Sequence, residues 1–542
     1  MNEENGSLMG YVVGGSIDKG IEIRLDSSFP IEDVRLGSYV TIQGRSQRFF
    51  GMITDINLET TDPSLRSTPP DPLDELVSSV ISSTSAYAIV TVTPELVIGG
   101  DPLAIIDGPQ SARTIPPHFS PAFQASPEDI RTVFGTEDDR RIWVGNPLDM
   151  QDTRIHLDLE ELVKRSNGVF GKSGTGKSFL TRILLAGILQ KQAAVNLVFD
   201  MHSEYGWQGS SEGNTAVKGL KQLFPSKVAV FSLDSESSRR RGISPDVEVK
   251  IGYKDIEPED IEMLAETLNI TPQGVTAVYD IVRKFGQDNW LNEFLELDRD
   301  GLSDLADTTQ QNFQVLFTLH RRLRGLGRMG FISATTADDA VRRILDYIDK
   351  GVHVVLEFGS YGNQIAAYVL VANLLTRRIH NMYVSRTERA MGNQSIEPTP
   401  LVITVEEAHR FLTPGIASQT IFGTIAREMR KYKVTLLIVD QRPSGIDDEV
   451  LSQLGTRFTY PLDNERDIDS VLAGARDARK LKAVLSTLGS QQQALIFGHS
   501  VPMPVVIRTR DYGTAESYSY FGDLNVSRSK EELEQDKRDL FG

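Results

Sequence analysis

The sequence predicts an α/β protein: a core built on a parallel sheet, interrupted by a helical insertion and preceded by a small N-terminal β-barrel. Three observations carry this. Short apolar segments punctuated by glycine and polar residues fill positions 8–58, the texture of a small barrel. From about residue 151 apolar strands alternate with helices, which implies a parallel sheet. Between the first strand and first helix of that region, Gly171-Lys172-Ser173-Gly174-Thr175-Gly176-Lys177-Ser178 fits the G-x-x-x-x-G-K-[ST] phosphate-binding loop at every fixed position.

The N-terminal module spans residues 1–150. Its strand candidates are Tyr11-Val12-Val13 and positions 20–25, 38–42 and 49–53. Residues 60–74 are polar and contain proline, and read as a mobile loop. Strand signals resume at 87–92 and 96–98, and Pro116, Pro117 and Pro121 mark a linker. The core spans residues 151–515. Gly168-Val169-Phe170 enters the phosphate loop as a strand, and residues 179–192 leave it as an amphipathic helix with Leu180, Ile183, Leu184, Gly187 and Ile188 on one side. Strands follow at 195–200 and 228–231. Residues 255–347 then carry helical periodicity: Val275, Val278, Ile281, Val282 and Phe285 form one stripe, and Phe313, Leu316, Phe317 and Leu323 another. This is the insertion. Strands return at 352–357, 401–405 and 434–439, with later candidates at 457–460, 494–497 and 504–507. Residues 516–542 form a C-terminal arm, highly charged from 527 onward.

The chain of 542 residues is long enough for two to four domains. It has no cysteine, which excludes disulfides, cysteine-based zinc sites and cysteine nucleophiles. No run of about 18 apolar residues occurs, so no membrane span is expected. The first ten residues lack the basic start and apolar stretch of a secretory signal, so a cytoplasmic location is expected. The formal net charge of −17 argues against a surface coated in basic residues. Arg239-Arg240-Arg241 and the basic stretches at 320–328 and 427–433 each read first as a solvated helix face or a set of ion pairs.

The phosphate loop names its ligand, a nucleoside triphosphate with Mg²⁺. Gly171, Ser173, Gly174, Thr175 and Gly176 turn backbone N–H groups toward phosphate oxygens, and Phe179 continues the site into the helix. Lys177 reaches the β- and γ-phosphates, and the Ser178 hydroxyl ligates Mg²⁺. Hydrolysis also needs a held metal and an oriented water. Leu401-Val402-Ile403-Thr404-Val405-Glu406-Glu407 is an apolar strand ending in two acids, the Walker B pattern. Glu406 takes the metal-associated position, where Asp is usual, and Glu407 the water-polarising one. The next apolar strand ends in Val439-Asp440-Gln441-Arg442-Pro443. Carboxyl ends of parallel strands face the ligand crevice, so Gln441 is set to sense the γ-phosphate or its water. Asp200-Met201-His202-Ser203-Glu204-Tyr205 falls on the same side; His202 and Glu204 read equally as turn caps or as site groups.

With these motifs in hand, the chain resembles the HerA family of hexameric DNA translocases, within the FtsK-like group of RecA-fold ATPases. The resemblance covers most of the chain. Its discriminating parts are the small barrel, the Asp200 to Tyr205 segment, Val405-Glu406-Glu407-Ala408-His409, Ile425-Ala426-Arg427-Glu428-Met429-Arg430-Lys431-Tyr432, Gln441-Arg442-Pro443-Ser444 and Gln493-Ala494-Leu495-Ile496-Phe497-Gly498. It implies a RecA-like core, ATP and Mg²⁺ as cofactors, and hydrolysis at the interfaces of a ring that draws double-stranded DNA through a central pore. A ring needs a basic channel only, so acidity overall is compatible with it. It implies a partner nuclease, NurA in the best-known pairing, or another effector in phage defence, docking on the HAS-barrel-like module, with no membrane partner. Lys177, Glu407 and Gln441 carry over as catalytic, and Ser178 and Glu406 as metal-binding. An arginine supplied by a neighbouring subunit is expected, from Arg427 or Arg430, with Arg165 a second candidate. Two rival readings stand beside this one: a secretion- or conjugation-type motor on protein or single-stranded DNA, and a nucleotide-gated scaffold for an effector. No Asn-Lys-x-Asp motif supports a small GTPase.

Overall fold

The structure is a computed structural model that describes residues 6–67, 80–81, 85–99, 108–210, 216–336, 339–390, 397–410, 412–414, 421–489 and 492–522, with backbone alone for 210 and 428–430. The charged segment 527–542 and residues 68–74 of the polar stretch lie outside the described residues.

The N-terminal strands close a barrel. Gly20–Leu25, Leu8–Ser16, Pro121–Gln124, Tyr39–Gln43, Gln47–Thr60 and Ala86–Gly99 pair in that order, and Ala86–Gly99 pairs back onto Gly20–Leu25. Closure leaves these six strands without a free edge. Val12, Ile21, Ile23, Val40, Ile42 and Val90 alternate inward to fill it. The two segments expected at 87–92 and 96–98 are one 14-residue strand, because Gln47–Thr60 pairs along its whole length and two bulges absorb the irregularity. Pro121 does not mark a linker. It opens the strand Pro121–Gln124, the position in a strand where a missing N–H costs least.

The second sheet holds twelve strands. Their order is Val247–Glu248, Val228–Ser232, His353–Glu357, Val195–Asp200, Leu401–Glu406, Val434–Asp440, Asn167–Phe170, Thr456–Thr459, Gln493–Gly498, Val505–Thr509, Arg141–Pro147 and Ile155–Asp158. The first eight are parallel, and the last four extend the sheet antiparallel. Arg141–Pro147 and Ile155–Asp158 stand on either side of residue 150, and both belong to this sheet. The two sheets therefore divide between Gln124 and Arg141, around the helix Pro127–Phe134, which a Ser126 capping box starts.

The helix after the phosphate loop, Lys177–Gln190, is buried on every side rather than on one. Leu185, Ala186 and Leu189 are as buried as Leu180 and Ile183. The antiparallel extension and the C-terminal segment cover the face that water would otherwise meet. A Cβ at Gly187 would stand 2.5 Å from Ile142 Cδ1, and Gln190 Nε2 donates to Tyr520 O at 2.7 Å.

The insertion runs through helices from Pro258–Met263 to Ala340–Asp349. Val278, Ile281, Trp290, Phe294, Leu316 and Leu323 are buried within it, and Trp290 Nε1 donates to Ile256 O at 3.1 Å. Phe317 departs from the predicted stripe: it is 41% exposed and stacks on Phe313. A 26-residue helix, Ile365–Ala390, braces insertion to core. Tyr368 Oη donates to the Glu406 carbonyl at 3.0 Å, while Asn373 and Arg377 bind Asp260 of the insertion at 3.0 and 2.8 Å. Among the described residues no helix is long and apolar enough to cross a membrane.

Candidate active site

The phosphate loop sits at the carboxyl end of Asn167–Phe170 and is held from behind. Lys172 N donates to Pro461 O at 3.2 Å, and Gln492 N donates to Thr175 O at 3.1 Å. Gly171 is required twice over. Its φ of 151° is left-handed, and a Cβ there would stand 2.5 Å from Tyr460 Cβ. The Lys177 ammonium folds back and donates to Lys172 O at 2.7 Å. Burial pushes it down to about 8, opposed by the charges of Glu407, Asp440 and Glu406.

The sheet order decides what faces this lysine. Val434–Asp440 lies between the loop strand and Leu401–Glu406, so Gln441 stands between the loop and the acid pair. Glu406 is buried at its strand end. Its Oε1 accepts from Tyr205 Oη at 2.9 Å, and its Oε2 is buried with no hydrogen-bond partner among the described residues. Burial, with the charges of Asp200, Glu204 and Glu407, pushes the carboxyl up to about 8 against the Tyr205 bond. An orphaned buried carboxylate oxygen on a cleft shared with Ser178 fits a divalent cation.

Glu407 turns out of the strand in a left-handed conformation, φ 50°, with its N–H on Val439 O at 3.0 Å. Gln441 Nε2 donates to its Oε1 at 3.3 Å, and His409 Nδ1 stands 3.7 Å from its Oε2. Asp440, fully buried, accepts from His409 N at 2.8 Å and Arg442 N at 2.7 Å, and lies 3.0 Å from His409 Nδ1. The hydrogen bond to Asp440 raises the His409 imidazole above its ordinary value.

A cleft of about 420 Å³ gathers these groups. Ser173, Gly174, Gly176, Lys177, Ser178 and Phe179 line one wall, and Glu406, Glu407 and Gln441 the other, with His202 and Glu204 at the end. Gly171 and Thr175 lie behind the wall, where the Thr175 hydroxyl donates to Lys172 O at 2.8 Å. Asp200 does not reach the cleft. It is buried beneath its turn and accepts from the N–H groups of Glu204, Tyr205 and Gly206 at 2.8, 2.8 and 3.1 Å. Burial, with Glu357 beside it, pushes it up to about 7. Arg427 lies off the cleft lining, 3.6 Å from Glu449, and the Arg430 side chain is outside the described residues. Arg165 lines a separate cleft at the opposite end of the loop strand, with Arg457, Asp477 and the barrel's Glu95.

Sequence reasoning placed Tyr205 on the crevice side without a role and missed Tyr368 and Arg182. Arg182, fully buried, donates to Glu204 O at 3.1 Å and lies 5.8 Å from the Tyr205 ring centre. A signal for it existed: a charged residue inside the apolar run of the first core helix.

A family model described as "Helicase HerA, central domain" matches residues 142–379, and one described as "HAS barrel domain" matches residues 9–103. The chain is similar to the DNA double-strand break repair helicase HerA of Pyrococcus furiosus, 25% identical over 74% of this chain and 75% of that protein. It is 24% identical to the helicase of the same name from Sulfurisphaera tokodaii, over 97% of this chain and 98% of that protein. Among solved structures, VirB4 of Thermoanaerobacter pseudethanolicus aligns over 70% of this chain and 99% of that chain, at 12% identity and a TM-score of 0.47. The barrel and central-domain matches fall, in order, on the closed barrel and on the part of the core that carries the phosphate loop, and over both parts the chain is similar to the HerA family.

Proposed function

We propose that this protein is an ATP-driven ring translocase that moves double-stranded DNA and serves a partner nuclease or other effector in DNA end processing or phage defence. The observation that carries the reading is the single cleft in which Lys177 and Ser178 face Glu406, Glu407 and Gln441. The relatives' name, DNA double-strand break repair helicase, supports DNA as the substrate.

An entering triphosphate draws the Lys177 ammonium off the Lys172 carbonyl and onto β- and γ-phosphate oxygens. Ser178 and Glu406 would hold Mg²⁺, which supplies neutralisation of phosphate charge when bound. Tyr205 fixes one oxygen of Glu406 and leaves the other for that role. Glu407, oriented by Gln441, takes the proton of the attacking water. Gln441 steadies that water or the γ-phosphate. An arginine from the neighbouring subunit, Arg427, Arg430 or Arg165, completes charge stabilisation in a hexameric ring.

The barrel supports a docking role. A groove of about 840 Å³ opens on it beside three exposed apolar side chains, Tyr11, Leu58 at 75% and Phe119 at 76% exposure. A patch of this kind favours an interaction surface, which supports docking of the partner nuclease or other effector there.

The test is ATP hydrolysis by the full chain with and without linear duplex DNA. Stimulation is expected, and it should fall steeply with salt because contact to phosphates releases counterions. A rate indifferent to duplex DNA, with and without the partner, would overturn the motor reading.

A further inference from the structure

The catalytic carboxylates all lie to one side of the phosphate loop. From Asn167–Phe170 the strands ending at Asp440 and Glu406 run one way across the sheet, while Thr456–Thr459, Gln493–Gly498 and Val505–Thr509 run the other. A triphosphate whose terminal phosphate faces Glu407 therefore extends its nucleoside end toward the second group of strands.

A cavity of about 340 Å³ opens there, lined by Trp143, Gln492, Arg508, Thr509, Asp511 and Glu516 among others. That volume is at the lower end of small-molecule sites. Two contacts tie it to the loop. Gln492 N donates to Thr175 O at 3.1 Å. Phe179, on the catalytic cleft, stacks on Tyr512, the neighbour of Asp511, with ring centres 6.3 Å apart.

Gln492 is held rigidly for a residue at a cavity edge. Its backbone is left-handed, φ 57°, an uncommon state for a side chain of this size. Thr509 fixes it by donating N–H and Oγ1 to the Gln492 carbonyl at 2.7 and 3.1 Å. The Gln492 amide nitrogen donates to Asp511 Oδ1 at 3.2 Å. The pair thereby offers the cavity an amide oxygen and a second carboxylate oxygen, both acceptors. Acceptors of this kind suit the two N–H bonds of an exocyclic amino group such as that of adenine.

We propose that this cavity seats the nucleoside of the triphosphate, with Gln492 and Asp511 accepting from the amino group of the base. The proposal rests on the reading of the neighbouring cleft as a triphosphate site.

Photolabelling of the full chain with 8-azidoadenosine triphosphate, mapped by peptide mass spectrometry, locates the base directly. Label is expected in segments 141–151 or 492–517. Label confined to 202–207 or 441–445 overturns the proposal. Binding measurements then test the recognition. The parent chain should prefer ATP to purine riboside triphosphate, which lacks the amino group, by about tenfold, the low end of a bidentate base contact. Gln492→Ala and Asp511→Ala should abolish that preference while inorganic tripolyphosphate binds as to the parent. Unchanged preference overturns the proposal, and so does an equal loss of tripolyphosphate, which would mean that the loop itself had moved. A parent chain that binds neither nucleotide nor tripolyphosphate would sink the triphosphate reading along with it.

Discussion

Glutamine at position 406 separates what burial costs the fold from what the carboxylate does for the site. The Glu406 carboxyl is enclosed at its strand end, one oxygen on Tyr205 and the other without a partner among the described residues. Its proton is held to about pH 8, against an ordinary 4.5. The unfolded chain releases that proton near pH 4.5, so the folded state loses stability as pH rises from there to about 8. At pH 7 the window already crossed is about 2.5 pH units, which at 1.36 kcal/mol per unit is about 3 kcal/mol. Glu406→Gln keeps an oxygen for the Tyr205 hydroxyl and removes the charge that Asp200, Glu204 and Glu407 oppose. We expect the ligand-free variant to melt several degrees above the parent at pH 8 and level with it near pH 4.5. Differential scanning fluorimetry across that range reads the effect. Metal-dependent nucleotide binding should weaken in the same variant. An equal gain at pH 4.5 and pH 8, or a loss of stability at both, would refute the electrostatic reasoning.

Other perturbations test single contacts. Tyr205→Phe leaves Glu406 Oε1 without its donor, a loss of about 1–2 kcal/mol; the Mg²⁺ concentration for half-maximal hydrolysis should rise several-fold, and an unchanged Mg²⁺ titration would contradict the assignment. Lys177, pushed down to about 8 by burial, is charged below that pH and must take up a proton to bind phosphate above it. Affinity for metal-free ADP should therefore fall from pH 7 to pH 9, and a calorimetric profile flat across that range would count against the lysine contact. His409→Ala removes the imidazole beside Asp440 and Glu407; hydrolysis should slow while ADP affinity stays within about twofold, and loss of both together would point to a collapsed turn instead.

Much of the site was legible because its chemistry is local in sequence. The phosphate loop and the acid-ended strands each need only a strand, a turn and fixed residue types, so Lys177, Ser178, Glu406, Glu407 and Gln441 could be named as candidates from the sequence, and they line one cleft. What escaped depends on distant partners. Arg141–Pro147 joins the core sheet through Val505–Thr509, more than 350 residues away, and nothing in its own sequence assigns it to core rather than barrel. Burial on all sides erases periodicity: the helix Lys177–Gln190 read as one-sided, and Ile365–Ala390 was not read at all, since residues 367–376 are almost continuously buried. Asp200 looked like a cleft residue because it ends a parallel strand. Its carboxylate instead satisfies three N–H groups of the turn beneath Glu204, and the cleft position passes to Glu204 and His202. The long strand Ala86–Gly99 was split at Pro94 by propensity and rejoined by its partner.

In the motor reading Glu407 and Lys177 serve one bound triphosphate. The most direct measurement is ATP turnover and ATP retention by Glu407→Gln, compared with Lys177→Ala. Turnover should fall at least about a hundredfold in both, with ATP retained uncleaved by Glu407→Gln and not bound by Lys177→Ala. Near-parental hydrolysis by Glu407→Gln, or undiminished ATP binding by Lys177→Ala, would contradict it.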